Sequence, residues 1–502
     1  MAMCVRLLSG NEVHVDLEGA ESLSEARARI ASKLNLHPSQ IELLDNERRP
    51  LPNSDVSRGS RASEILAIIL PDPAEDVLLQ ATRLASFDEL IVQRSIEIRW
   101  GTNLTALPQR LGALTSLRII DISNTPLTSL PESLGLLINL ECLKLLNNAL
   151  SCLPSSIASL KQLQQLWLDN NKLKALPDSF GGLSSLQHLR LNYNSLHMLP
   201  SSFGDLGSLR EFSISSNALQ LLPDNFSALA GLEIARLRNN KLRQLPDGFG
   251  RLSSLQELQL DRNALPELPN SFGELLLLRN LNLSSNFITQ LPENFAQLSH
   301  LEVLDLYPMC PQRHMLRRCI IERVFVCDVC GTQFLDGTYV SCKRCGFDLC
   351  AQCLESLQIN MLPADVGDLR ALKQLRMCTH KLVSLPDSFG QMVALQVLDL
   401  CSNLLRSLPA NFTELTSLRV LQLACNQLEL LPENFGALAA LQELDLCKNC
   451  LRALPVSFGN LLELATLNLD DNPMQRMPGY QRHPLEPAVA PRPVSSICVW
   501  RT

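Results

Sequence analysis

No run of 18 or more apolar residues occurs in this 502-residue chain, so no transmembrane helix is expected. The opening Met-Ala-Met-Cys-Val-Arg lacks a basic stretch followed by an apolar one. It therefore does not read as a secretory leader, and the chain is expected in the cytoplasm. Positive charge is not in excess: Lys and Arg number 44 against 51 Asp and Glu, a net charge of -7. That balance gives no reason to expect nucleic acid as a partner. There is no Gly-rich phosphate loop, no His-Glu-x-x-His, no nucleophile elbow and no kinase signature. Charged residues are few, 19% against 46% hydrophobic, which is too apolar for disorder and enough to bury a large core.

What the chain has instead is a ruler. Leu-Pro pairs end at Pro108 and then every 23 residues to Pro292, and again from Pro363 to Pro455, with a Met-Pro closing the series at Pro478. Those are fifteen units. The gap from Pro292 to Pro363 is 71 residues, one unit of 23 plus 48 more, so 48 residues are inserted in one repeat without loss of frame. A representative unit reads Leu166-Trp-Leu168-Asp-Asn-Asn171-Lys-Leu173-Lys-Ala-Leu176-Pro177-Asp-Ser-Phe180. Leu166 and Leu168 alternate inward on a short strand. The Asn171 amide is placed to satisfy backbone groups of the neighbouring coil. The same slot holds Asn148, Asn194, Asn217, Asn240, Asn263, Asn286, Asn403, Asn426, Asn449 and Asn472. Phe stands three residues past the proline at 180, 203, 226, 249, 272, 295, 389, 412, 435 and 458, which predicts a buried aromatic spine.

This pattern resembles the leucine-rich repeat family in its 23-residue intracellular form. The resemblance implies an α/β-type solenoid, a horseshoe whose concave face is a parallel sheet, since no coil can bury its apolar side alone. At about 4.8 Å per strand, fifteen strands span on the order of 70 Å. Such a face is a surface for protein partners. The outward positions that attract notice there are Trp167, Asp169, Arg190, Tyr193, Arg236, Arg238, Asp261 and Arg262, because Arg, Trp and Tyr dominate interface energetics. Arg236, Arg238 and Arg262 are expected to converge on one basic patch. Cys378, Cys401 and Cys447 share one outward slot, and the first two belong to adjacent units. They read either as tolerated surface residues or as a second metal site or redox pair.

Seventeen cysteines in a cytosolic chain are expected to be thiols or metal ligands, and eight of them fall between Cys310 and Cys353. The insertion, 310–357, carries Cys310-x3-His314-x12-Cys327-x2-Cys330-x11-Cys342-x2-Cys345-x4-Cys350-x2-Cys353. Zinc takes four Cys or His ligands, and a pair two apart grips one ion from a tight turn. Eight candidates suffice for two ions. Tyr339 to Cys353 resembles the ZZ family of cross-brace zinc modules, and the block also resembles the diacylglycerol-type module. Interleaving, which the resemblance implies, assigns Cys327, Cys330, Cys350 and Cys353 to one ion. Cys342 and Cys345, with Cys310 and His314, take the other. Both families differ in where the last ligands lie, so Cys378 and His380 are the downstream alternatives. Cys319 is off the pattern. Ions with four protein ligands are structural, fold a segment too short for its own core, and support no catalysis.

Residues 1–71 read as two strands, a helix from about Ser24 to Leu34, and apolar runs at Ile41–Leu44 and Ile65–Leu70. That order resembles the ubiquitin-like β-grasp fold, with Leu8, Leu44 and Ile69 either core or an apolar recognition patch. No di-Gly tail follows, so conjugation is not expected, and Lys33 is the sole lysine of the segment. Residues 72–95 read as a helical cap for the first coil. The repeat arrays are 96–309 and 358–478, and 479–502 is a proline-rich tail expected to be disordered. The sum is a non-enzymatic, protein-binding scaffold of signal transduction with two structural zinc ions. A small GTPase or a ubiquitin-pathway protein is the implied partner. The alternative is a component of ubiquitin transfer resembling an E3 ligase, although RING modules place a His within the ligand array and this one does not.

Overall fold

A computed structural model describes residues 28–29, 73–99, 102–306 and 359–474, together with the backbone of the strands named below outside those ranges. Its two compact units are 1–195 and 196–502.

The first unit begins with β1 (Ala2–Leu7), β2 (Glu12–Asp16), β3 (Ile41–Leu44) and β4 (Ile65–Ile69). They form a sheet of order β2-β1-β4-β3, with β1 parallel to β4 and each flanked by an antiparallel neighbour. Helices α1 (Pro73–Thr82) and α2 (Phe87–Ile91) follow and bury Leu78, Phe87 and Leu90. Arg110 of the first coil lies 4.5 Å over the Phe87 ring and 3.3 Å from the Glu75 carboxylate. Parallel strands β5 (Ser95–Arg99), β6 (Ile119–Ser123), β7 (Cys142–Lys144), β8 (Gln165–Trp167) and β9 (His188–Arg190) then pair in register.

The second unit holds β10 (Glu211–Ser213), β11 (Ile234–Arg236), β12 (Glu257–Gln259), β13 (Asn280–Asn282) and β14 (Val303–Asp305). Within the insertion lie β15 (Arg317–Ile320), β16 (Phe325–Val326), β17 (Gln333–Phe334), β18 (Thr338–Cys342) and β19 (Phe347–Cys350). The array resumes with β20 (Gln374–Arg376), β21 (Val397–Asp399), β22 (Val420–Gln422), β23 (Glu443–Asp445) and β24 (Thr466–Asn468). β14 pairs directly with β20, Leu304 opposite Leu375, so the parallel ladder closes over the insertion without a slip. Within the tail, β25 (Cys498–Val499) pairs antiparallel with β24, and the remainder of 479–502 lies outside the described residues.

Each coil repeats the same physics. The inward strand leucines are fully buried, as Leu166 and Leu168 are. One residue then enters the left-handed region, such as Asn147 at φ 55° or Asn239 at φ 54°. The next Asn stitches coils together: Asn171 Nδ2 donates to Leu145 O at 2.8 Å, while its Oδ1 accepts from Leu150 N–H at 3.0 Å. Each such bond is worth about 1 kcal/mol, and a buried backbone group left without one costs about 1–3 kcal/mol, so the slot tolerates little. Past the Leu-Pro pair a short 3-10 turn carries the aromatic. Phe203, Phe226, Phe249, Phe272 and Phe295 stack at 6.1, 6.1, 6.2 and 6.4 Å between centroids.

The spine departs from its sequence pattern twice. Phe458 is only half-buried, because the coil beyond it supplies no covering layer among the described residues. Phe212 stands at an inward strand position and is fully buried, with its ring 4.9 Å from that of Phe203.

The coil after the insertion uses His380 in place of Asn. Its Nε2–H donates to Leu306 O at 2.5 Å, and its Nδ1 accepts from Ile359 N–H at 3.3 Å. One side chain thereby ties the last described residue before the insertion to the first described residue after it. Burial, opposed by the bond to Leu306, pushes its pKa down to about 4 and keeps the ring neutral.

Candidate interaction surface

Alternate strand residues must point away from the core, and in register they form rows across neighbouring coils. In the first unit one row is Lys144, Trp167 and Arg190 on β7, β8 and β9. Lys144 Nζ sits 4.1 Å from the Trp167 ring centroid and Arg190 Cζ 5.2 Å from it. Both lie within cation–π reach, worth about 0.5–1 kcal/mol for each at a solvated site. The indole N–H is enclosed and makes no hydrogen bond. Asp169 is almost wholly buried and holds Arg190 through a 2.8 Å contact to its Nε. The same carboxylate accepts from the backbone and side-chain amides of Asn192, both at 2.8 Å. Beside this row a depression of about 310 Å³ is lined by residues including Asp121, Cys142, Lys144 and Gln165. Tyr193 is 61% exposed and stands at the left-handed turn, φ 55°, not on the strand itself.

In the second unit Arg236 on β11 reaches both adjacent strands. Its Nε lies 3.1 Å from Glu257 of β12, and its Nη1 contacts Glu211 of β10. Burial opposes the guanidinium charge, but the two carboxylates outweigh it and raise its pKa. Arg238 pairs with Asp261 at 3.1 Å, and Arg262, at a left-handed turn of φ 61°, approaches the same carboxylate at 3.9 Å. Arg238 and Arg262 thus meet at Asp261, while Arg236 is held by Glu211 and Glu257. Each arginine expected in the basic patch has a carboxylate of this chain beside it. Sequence reading missed Lys144, Glu211 and Glu257. Each lies on the strand next to its partner's, at an offset of 21 to 25 residues, which the 23-residue frame could have exposed.

Of the eight expected zinc ligands, Cys342 ends β18 and Cys350 ends β19, where the backbone alone is described. Cys310, His314, Cys327, Cys330, Cys345 and Cys353 lie outside the described residues, as do Leu8 and Lys33 of the amino-terminal segment. Leu44 and Ile69 end β3 and β4. Among the described residues one group can gather around a metal: Cys378, Asp399 and Cys401 of the second unit. The hydrogen bond between its thiols holds Cys378 below the usual thiol range despite burial, and raises Cys401, the donor. Cys447, in the same slot, is pushed up to about 11 by burial and by Asp445. Both His380 nitrogens are engaged with backbone, which removes it from the candidates for a ligand.

Leucine-rich repeat models match residues 134–233, 277–298, 370–428 and 418–474, the first described as a leucine-rich repeat region. No curated protein matches the chain. A leucine-rich repeat protein of Leptospira interrogans is 30% identical in sequence, with a TM-score of 0.60 over 77% of this chain and 92% of that one. The functional domain of InlJ from Listeria monocytogenes, described as including a cysteine ladder, is 18% identical with a TM-score of 0.55, over 77% and 70%. A chain of the Drosophila Toll–Spatzle complex is 21% identical with a TM-score of 0.54, over 78% and 52%. These last two share the fold alone. No helix among the described residues is long and apolar enough to cross a membrane. With the asparagine stitching, the in-register parallel ladders and 30% identity across nearly all of the Leptospira protein, the chain belongs to the leucine-rich repeat family.

Proposed function

We propose that this chain is a non-enzymatic cytoplasmic scaffold of signal transduction that holds a protein partner against the outward strand row of its first unit. The observation that carries this reading is Trp167, an aromatic flanked by the cations Lys144 and Arg190. A half-buried row of Trp and two cations fits a partner segment bearing carboxylates beside an apolar side chain, since buried Trp and Arg anchors carry most interface energy. Leucine-rich repeat proteins are in general protein-binding, and Toll, of the same fold, is seen in a complex with Spatzle. A small GTPase or a ubiquitin-pathway protein is the partner class we favour.

The insertion is read as a recruitment module built on two structural zinc ions. Its support is the spacing of three Cys-x2-Cys pairs. The β18–β19 hairpin adds to it, placing Cys342 opposite Phe347 at the turn end and Cys350 opposite Tyr339 at the far end. The two cysteines are thus offset by three strand positions, about 10 Å, which fits their assignment to different ions. The amino-terminal sheet, with β1 and β4 parallel at its centre, supports a ubiquitin-like module. The same two features favour the second reading, a component of ubiquitin transfer. The test is affinity capture from cytosol with wild-type protein and with Trp167→Ala/Arg190→Ala. The reading expects a discrete set of partners lost from the double variant while its thermal unfolding is unchanged. Identical captured sets would move the partner site off this row.

A further inference from the structure

Cys378, Asp399 and Cys401 occupy outward positions on two adjacent coils of the second unit, those of β20 and β21. We propose that these three side chains form a zinc site distinct from the insertion, with a fourth position open to water. The two thiols share one slot two residues past the paired strands, where the register that ends with Arg376 opposite Asp399 sets Cys378 beside Cys401 and Thr379 N–H donates to Cys401 O at 2.9 Å. Asp399 lies two residues before Cys401 on the same face, its Oδ1 accepting from the Cys401 N–H at 3.1 Å. That bond orients the carboxylate and leaves its second oxygen to turn toward the sulfurs. The three ligand atoms all lie within 4.8 Å of one another. Zinc bonds of about 2.3 Å to sulfur and about 2.0–2.2 Å to oxygen set tetrahedral ligands roughly 3.5–3.8 Å apart. Side-chain rotation closes that difference without moving the strands. Two thiolates and a carboxylate are a borderline-soft donor set that suits zinc and poorly suits calcium or magnesium, which take oxygen.

The molecule contains its own control. Asp445-Leu-Cys447 repeats Asp399-Leu-Cys401 two coils on, with Asp445 Oδ1 accepting from the Cys447 N–H at 2.9 Å. There the preceding coil places Ala424 in the slot that Cys378 fills, and the nearby thiol, Cys425, stands one residue on at the left-handed turn and joins no three-ligand group. Three ligands preformed on a rigid sheet, against two in the same geometry, should separate a binding site from a similar surface. Cys378 is 5% exposed, so the ion would sit in the sheet face with Cys401 and Asp399 at its open side. A protein-supplied fourth ligand could replace the water there.

The experiment uses the full chain, reduced, saturated with zinc alone and freed of excess, with zinc counted by mass spectrometry. Cys401→Ser and Cys378→Ser should each bind one equivalent fewer than wild type, and Cys447→Ala should bind as many. Asp399→Asn should weaken the same equivalent without abolishing it. Because Cys378→Ser alters a buried residue, a second measurement uses wild-type protein only. Zinc should slow alkylation of Cys401, followed by peptide mapping, and leave Cys447 unaffected. Equal zinc in all variants, or Cys401 alkylation indifferent to zinc, would overturn the site. So would a Cys378–Cys401 disulfide in the protein as isolated.

Discussion

Arg190 in the first unit and Arg236 in the second occupy the same outward strand slot, yet their surroundings differ in kind. Arg190 has one carboxylate, the buried Asp169, and lies along Trp167, which carries Lys144 on its other side. Arg236 has two carboxylates, one on each neighbouring strand. A cation over an aromatic ring keeps its outer hydrogen-bonding edge available, whereas a cation clamped between two acids has spent its donors inside the protein. One repeat thus yields a recruiting surface in one place and a self-satisfied one in another. The strand face must be judged by rows across coils and not by residue type.

The comparison can be sharpened first where the units should not differ. Phe180 and Phe249 are both fully buried in the same turn of their coils. Changing either to Ala should cost about 3–5 kcal/mol in urea unfolding. A cost below 1 kcal/mol at one of them would show that the inward faces are not equivalent. On the outward faces, Trp167→Ala should weaken capture of a bound partner by at least about 30-fold, near 2 kcal/mol. Arg238→Ala in the second unit should change it less than about threefold. A reversed order would transfer the recruiting role to the second unit.

Arg236→Glu should destabilise its unit by about 1–2 kcal/mol, because three carboxylates would then share adjacent strands. Glu211→Arg combined with Arg236→Glu should recover much of that loss in thermal unfolding. No recovery would mean that the network contributes through packing and not charge. The smallest effect is the coupling between Lys144 and Trp167, about 0.5–1 kcal/mol in a double-mutant cycle with Lys144→Ala and Trp167→Phe. Zero coupling would leave Lys144 a solvated neighbour.

Much of this fold is legible in the residues. The Leu-Pro ruler requires that the frame close over the insertion, and Leu304 does face Leu375 across it. The asparagine slot requires coil-to-coil hydrogen bonds, and Asn171, Asn240 and Asn426 make them to the same two backbone groups of the preceding coil. His380 was legible only as an exception in that slot. That it performs both asparagine bonds across the insertion follows from the distance between its ring nitrogens, which spacing does not reveal. Phe458 matches the spine pattern perfectly and still is not fully buried, because burial depends on the next coil and not on the motif. The zinc ligands of the insertion are carried by cysteine spacing alone, Cys342 and Cys350 being placed by backbone and the rest lying outside the described residues.

By itself the sequence determined the period, the inward set and the position of the insertion, since these are properties of one coil repeated, and hydrophobic alternation is local. What it did not determine was the state of each outward charge. That state depends on neighbours about 23 residues away: Glu211 and Glu257 around Arg236, Asp261 beside Arg238, Cys401 beside Cys378. Electrostatic and metal-binding character are set over a few ångströms in space, whatever the separation along the chain. Only the stacking of coils brings those distances into range.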